Sequence, residues 1–297
     1  MANSNGWGDG AANNAIGWGQ GANNAIGWGD IHADSWAGLT DIVGITTDPD
    51  AQAFITAAAI TDPTQQGAIN TLVVDLKGYG IWTKMKALYP FCGGSASSHK
   101  FNLKDPRDLD AAFRLFFSGG WTHSSTGALP NGTNAFANSF CKTVTDISVN
   151  SHSFGIYSRT NDTTGTQAYG VFEGSGFDNI IQHWISNGSF TDGASSNMLS
   201  YTANPTTSLI MLTRRSQTDW QAYRAGVSLG TRTTGCSFLT GKNFFFAARN
   251  DGSNLTAEFY CKQQLAFGFI GDGLTNTESG NLYTAVQAFQ TTLGRQV

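Results

Sequence analysis

Gly226-Val227-Ser228-Leu229-Gly230 has the G-x-S-x-G spacing of a nucleophile elbow, the first place in these 297 residues where chemistry could sit. An elbow needs a parallel strand before it, a helix after it and a later histidine to take the serine proton. The last histidine is His183, upstream of Ser228, so a hairpin with turns marked by Gly226 and Gly230 is expected instead. Glycoside hydrolysis needs two carboxylates facing each other across a cleft. The chain has only three glutamates, Glu173, Glu258 and Glu278, and none sits in E-x-D-x-x-E spacing. Glu173 and Asp178, flanking Gly174–Phe177, are the best remaining pair, and they read as strand-end and turn residues. His32, His99, His123, His152 and His183 show no metal-ligand spacing. Asn161-Asp162 and Asp178-Asn179 offer the oxygens that calcium wants, but turns use the same residues without an ion. The glycines form no phosphate-binding loop. No catalytic residue, metal ligand or cofactor is therefore expected, and the chain reads as a non-enzyme.

Binding is what remains. Trp184, Trp220 and Tyr223 fall in expected strands beside Asn and Asp, as Trp121 does, and aromatic rings of this kind can stack on sugars. A different use of tryptophan opens the chain: Gly-Trp-Gly returns at Trp7, Trp18 and Trp28 within a repeat of ten to eleven residues that also carries Ile16 and Ile26. Glycine there penalises helix and strand alike, and the apolar residues are too sparse for a core of their own. Large rings on a pliable backbone suit docking into a partner, so Trp7, Ile16, Trp18, Ile26 and Trp28, with Trp36 in the connector that follows, read as an anchor.

Composition frames these sites. Charged residues are 13% of the chain, glycine numbers 36, and the net charge is −4. Low charge with abundant Gly, Asn, Thr and Ser argues for a strand- and turn-rich protein. No basic cluster speaks for nucleic acid. No apolar run suits a membrane span, and no basic-then-apolar start suits a Sec-type signal. Cys92, Cys141, Cys236 and Cys261 lack C-x-x-C spacing and are expected as reduced, buried thiols.

The elements that must position these residues follow from periodicity. Residues 1–45 form the extended repeat arm, and 46–87 a helical base. There Asp48 or Asp50 caps one helix, and Thr61-Asp62-Pro63 starts another with Ile69, Leu72, Val73 and Leu76 on one face. Residues 88–272 read as short strands separated by turns. These include Ala112–Phe117 with Phe113, Leu115 and Phe117 on one side, a hairpin about Ser216-Gln217, and another joining Asn243–Ala248 to Leu255–Cys261. About a dozen strands without intervening helices describe an antiparallel two-sheet sandwich of jelly-roll, concanavalin A-like kind. Residues 273–297 hold a last helix, with Leu282, Val286, Phe289 and Leu293 on one face, expected to pack on the base.

The segment Ile69–Asn102, the later Tyr157-Ser158-Arg159-Thr160 and the closing Asn281-Leu282-Tyr283 and Leu293-Gly294-Arg295 resemble a family of bacteriophage virion proteins. The Gly-Trp-Gly repeat resembles N-terminal segments of such proteins. The resemblance covers roughly residues 45–297 and carries no active-site residues. It implies a tail- or head-fibre or adhesion protein with a concanavalin A-like (laminin G-like) sandwich, often a homotrimer, assembled into the virion in the bacterial host cytoplasm. Its arm would meet other virion proteins (capsid, tail or fibre-attachment), and its sandwich would face host-surface carbohydrate. The alternative is a virion-associated or secreted glycan hydrolase on the same fold.

Overall fold

The computed structural model describes residues 47–143, 145–161, 167–173, 179–184, 188–193, 198–201, 207–236, 241–251 and 257–297. Four α-helices occur among them: α1 (Pro49–Ala57), α2 (Pro63–Gly78), α3 (Ala96–His99) and α4 (Asn276–Thr292). The strands, in chain order, begin with β1 (Met85–Tyr89), β2 (Phe116–Ser118), β3 (Trp121–Ser124), β4 (Gly127–Pro130), β5 (Phe136–Lys142) and β6 (His152–Ser158). They continue with β7 (Gln167–Glu173), β8 (Asn179–Trp184), β9 (Ser189–Gly193), β10 (Leu199–Ser200), β11 (Ser208–Ser216) and β12 (Asp219–Arg224). The last are β13 (Val227–Arg232), β14 (Asn243–Phe246), β15 (Arg249–Asn250), β16 (Ala257–Glu258) and β17 (Leu265–Gly271).

Local signals set the helices. Asp48 accepts from the Asp50 N–H and Asp62 from Thr64 and Gln65, each just before a proline at the first helical position. Thr275 and Glu278 form a reciprocal capping box on α4. None of the described helices is long and apolar enough to cross a membrane.

The strands form two sheets, so the protein is mainly β, an antiparallel sandwich with a small helical part. The eight-stranded sheet runs β13-β12-β11-β6-β17-β4-β3, with β1 also on β17. The nine-stranded sheet runs β10-β9-β8-β7-β14-β5-β2, with β15 and β16 beside β7. Strand alternation divides the side chains between two cores. Phe154, Ile156, Ile210, Leu212 and Trp220 point inward against Tyr169, Phe190, Phe244 and Phe246 of the other sheet. Phe154 stacks on Phe244 with ring centroids 4.3 Å apart. Tyr157, Leu209, Met211, Tyr223, Phe267 and Phe269 point the other way and are covered by Leu72, Val73 and Leu76 of α2 and Leu282, Val286 and Phe289 of α4. Gly155 lies on this covered face, where a Cβ would fall 2.4 Å from the Phe269 ring and 2.8 Å from the Ile210 carbonyl oxygen.

Two expectations about strands need correction. Ala112–Phe117 is not one alternating strand: Asp110–Ala112 is a 3-10 turn and Phe113 turns left-handed with φ 57°, so only Phe116–Ser118 pairs. The run Asn243–Ala248 is cut short by Ala247, φ 66°, and the hairpin forms between β15 and β16. In the hairpin that replaces the elbow, Gly226 does take the turn, φ 74°, but Gly230 lies within β13, paired with Ala222. All four cysteines are free and buried.

Among the described residues charge is buried in three places, one of them the Arg249–Asp251 pair at 2.8 Å. At one end of the sandwich, Arg214 and His152, cross-strand partners in the eight-stranded sheet, both bind Asp192 of β9 in the nine-stranded sheet. Arg214 Nε donates to Asp192 Oδ2 at 2.7 Å and Nη2 to the Asp192 carbonyl at 3.0 Å, while Nη1 reaches the carbonyls of Ser216, Gln217 and Thr234. His152 sits between the Ser148 carbonyl and Asp192 Oδ2, at 2.9 and 3.0 Å. Burial alone would raise the Asp192 carboxyl, but His152 and Arg214 hold it below the usual carboxylate range. Near the C-terminus, buried Arg295 donates to the carbonyls of Phe91, Pro90 and Ala266 and to Gln290 Oε1.

Arg214→Ala should strand the Asp192 carboxylate between the sheets and cost about 3–5 kcal/mol, read from denaturant unfolding; a loss under 1 kcal/mol would contradict this role. Burial lowers both His99 and His183 from 6.5 to about 3. Both are neutral when folded and take a proton more readily when unfolded, so stability is complete above pH 6.5 and lost as pH falls toward 3. At pH 4.5 each should have removed about 2–3 kcal/mol, and His183→Phe should flatten the slope between pH 6.5 and 4.5. An unchanged slope would overturn the assignment.

Candidate functional site

Because helices cover the outer face of the eight-stranded sheet, the outer face of the nine-stranded one is where a site can form. Ala137 and Cys141 of β5 belong to the inter-sheet core, so Asn138, Phe140 and Lys142 face outward. With Asn243 of β14, Asp110, Ala111, Phe113, Thr145 and Asp146 they line a groove of about 620 Å³.

An irregular backbone builds this groove. Asn243 pairs with Lys142 and Phe245 with Asn138, so four steps along β5 match two along β14, and the extra length bulges at Phe140. Phe140 has φ 56° and Phe113 φ 57°, conformations that cost roughly 1–2 kcal/mol for a side chain with a Cβ. Phe113 is held in place by the Tyr89 hydroxyl, which donates to its carbonyl at 2.6 Å. The Asn138 side chain accepts from the Phe140 N–H at 2.9 Å and so braces the bulge.

The polar groups around the groove divide unevenly. Asp110 accepts from Arg114 Nε at 2.8 Å. Asp146 accepts from the Lys142 N–H at 2.7 Å and from the Thr145 hydroxyl at 3.0 Å. Asn138 is fully buried as a residue, yet among the described residues its Nδ2 has no acceptor. An amide N–H left without a partner in such a position costs about 1–3 kcal/mol unless a ligand or water meets it. Beside it, Phe116 of edge strand β2 pairs directly with Asn138, which places its ring on the same outer face, and it is 47% exposed. An exposed ring next to a spare amide donor is a combination that binds a sugar, stacking on its C–H face and hydrogen-bonding its oxygens.

The residues singled out from the sequence lie elsewhere. Trp7, Ile16, Trp18, Ile26, Trp28 and Trp36 lie outside the described residues. Trp184 belongs to β8, paired with Ser189 and Gln167, and only its backbone is described. Trp220 is fully buried between the sheets, its Nε1 donating to Thr234 Oγ1 at 3.1 Å. Tyr223 is buried beneath the helices, with its hydroxyl on Gln221 and Asn276. Neither Trp220 nor Tyr223 has a ring face open to a sugar, and their expected stacking role is corrected accordingly. Alternation sends their rings to opposite sides of β12, and both sides of that sheet are covered. Trp121 is half-buried, with its Nε1 on the Ser118 carbonyl. Glu173 ends β7 opposite Asn179, while Asp178 and Asp162 lie outside the described residues. Ser228 Oγ accepts from Gln221 Nε2 and lies on an edge strand.

Of the histidines, His99 and His123 share a hydrogen bond between their Nδ1 atoms at 2.9 Å within a nest of Phe91, Phe117 and Trp121. Burial lowers both, and the His123 ring adds to the lowering of His99. Among the described residues, no group of three His, Cys, Asp or Glu side chains is placed to hold a metal.

No family model matches the chain. No curated protein matches its sequence. Among solved structures it is similar to domain 4 of AbnA, a GH43 extracellular arabinanase from Geobacillus stearothermophilus in complex with arabinotriose, at 14% identity and TM-score 0.42. That match covers 67% of this chain and 98% of the domain. A structure of botulinum neurotoxin type C, whose cell entry depends on two ganglioside molecules, matches at 11% identity and TM-score 0.45, over 70% of this chain and 52% of that one. A Trypanosoma rangeli sialidase mutant with trans-sialidase activity matches at 11% identity and TM-score 0.40. There the match covers 77% of this chain and 39% of the sialidase.

Proposed function

We propose that this chain is a carbohydrate-binding surface protein of a bacteriophage particle, a tail or head fibre or a decoration. In this reading the sugar lies in the groove on the outer face of the nine-stranded sheet, and residues 1–45 join the virion. The observation that carries the binding part is the spare Nδ2 of fully buried Asn138 directly across from the exposed Phe116 ring. Phe113 and Phe140 also line the groove. The virion part rests on the resemblance of the sequence to phage virion proteins and on the Gly-Trp-Gly repeat. That resemblance also implies a homotrimer.

Binding is favoured over hydrolysis because both groove carboxylates are already engaged. Asp110 is paired with Arg114, and Asp146 closes its own turn, so neither stands ready to give or take a proton at a glycosidic oxygen.

The intact chain should bind members of a panel of bacterial surface polysaccharides without releasing reducing ends. Phe116→Ala should weaken that binding about fivefold or more while leaving the melting temperature within about 2 °C, since the ring is largely exposed. A chain that binds no glycan, or a Phe116→Ala variant that binds like the parent, would overturn the groove as the site. Deleting residues 2–30 should leave strand-rich circular dichroism unchanged and abolish incorporation into particles. Normal incorporation of the deletion variant would end the anchor reading.

A further inference from the structure

The groove is short of negative partners, and that asymmetry points to a class of ligand. Two of its side chains, Asn138 and Lys142, hold spare donors. Asn138 Nδ2 carries two N–H groups with no acceptor among the described residues. Lys142, exposed on the same face of β5 two positions beyond Phe140, carries three more on its ammonium. Lys142 makes no ion pair among the described residues; its backbone N–H, not its ammonium, is what Asp146 holds. The two carboxylates are in the opposite condition. Asp110 is neutralised by Arg114, which also binds Asp108, and both Asp146 oxygens already accept a hydrogen bond. Asp108, Asp110 and Asp146 against Lys100, Arg114 and Lys142 leave the formal charges around the groove balanced. An anion entering it meets no net repulsion and finds one ammonium without a partner.

Resting on the glycan reading of the groove, we propose that it takes an acidic sugar, a residue bearing a carboxylate. Its ring lies along Phe116 and Phe140, and its carboxylate receives the Lys142 ammonium and the Asn138 amide, whose Nδ2 is buried in the free groove and must turn outward to meet it. A carboxylate only accepts hydrogen bonds, so it matches a donor-only pair in a way that a hydroxyl does not need to. Hydrogen bonds between charged partners are about twice as strong as neutral ones, which is what would make the acidic sugar preferred rather than merely tolerated. Both donors come from one strand, two residues either side of a bulge that fixes their spacing.

The test uses the full chain with polygalacturonate, alginate, hyaluronate and polysialate, each beside its carboxyl-reduced counterpart, together with neutral glucans and galactans. At least one acidic polymer should bind about tenfold more tightly than its reduced form, and rising salt should erode that difference. Lys142→Gln should remove most of the preference while leaving the melting temperature unchanged, since the side chain is exposed, and Lys142→Arg should retain it. Equal binding of acidic and reduced polymers, binding to neutral polymers alone, or a Lys142→Gln variant with the parent's preference would overturn the acidic-sugar inference and leave the glycan reading standing. Binding to no polymer at all would overturn both.

Discussion

Two sheets stacked face to face can slide or splay unless something fixes their relative position, and here that constraint is ionic. Asp192 of the nine-stranded sheet lies between His152 and Arg214 of the eight-stranded one, all three fully buried. Apolar burial is non-directional and would tolerate small shifts of one sheet over the other. A guanidinium that meets both a carboxylate and a backbone carbonyl of the same residue tolerates few. Arg214 extends the constraint by gathering the carbonyls of Ser216, Gln217 and Thr234, so the loops at that end are tied to the same point. Buried ion pairs are weak evidence for stability as such, because desolvation opposes the attraction. Their value here lies in register, since a carboxylate displaced from this pocket would be left buried and unpaired.

The remaining architecture follows from which faces are used. Aromatic and aliphatic side chains fill the space between the sheets, and a second apolar set on the back of the eight-stranded sheet is closed by helices from both ends of the chain. Arg295 secures the far end of that closure by binding carbonyls of the segment after β1 and of β17. Among the described residues, no helix covers the outer face of the nine-stranded sheet. Part of it is occupied by β15 and β16, where Phe136 and Phe245 stack beneath Ala257 and Tyr260. The groove is the stretch of that face beside this small core. Its two left-handed phenylalanines show where the backbone departs from regular pairing.

Much of the fold was legible because it rests on local signals. Asp before proline at 48–49 and 62–63 announces two helix starts, and each cap is present. Alternation in β6 and β17 likewise announced strands that pair with each other. The groove was not legible. Phe113 sits in a run that alternates cleanly on paper, and nothing in the residues around Phe140 announces a bulge. Both depend on long-range pairing, Phe140 on the mismatch with β14 and Phe113 on a bond from Tyr89, 24 positions away. Trp220 and Tyr223 misled for a related reason. Aromatic rings beside polar residues look like a binding face, and only the covering of both sides of their sheet reveals them as core.

By itself the sequence determined the class of fold, the helix caps and the reduced state of four scattered cysteines. Those properties follow from periodicity and from interactions within a few residues. Tertiary structure alone decided which sheet face stays open, that Asp192, His152 and Arg214 meet, and that Phe116 lies across from Asn138. Each of these depends on residues more than 20 positions apart being brought together, by strand register for the last two and by helix packing for the first, and both are properties of the assembled sheets rather than of any one segment.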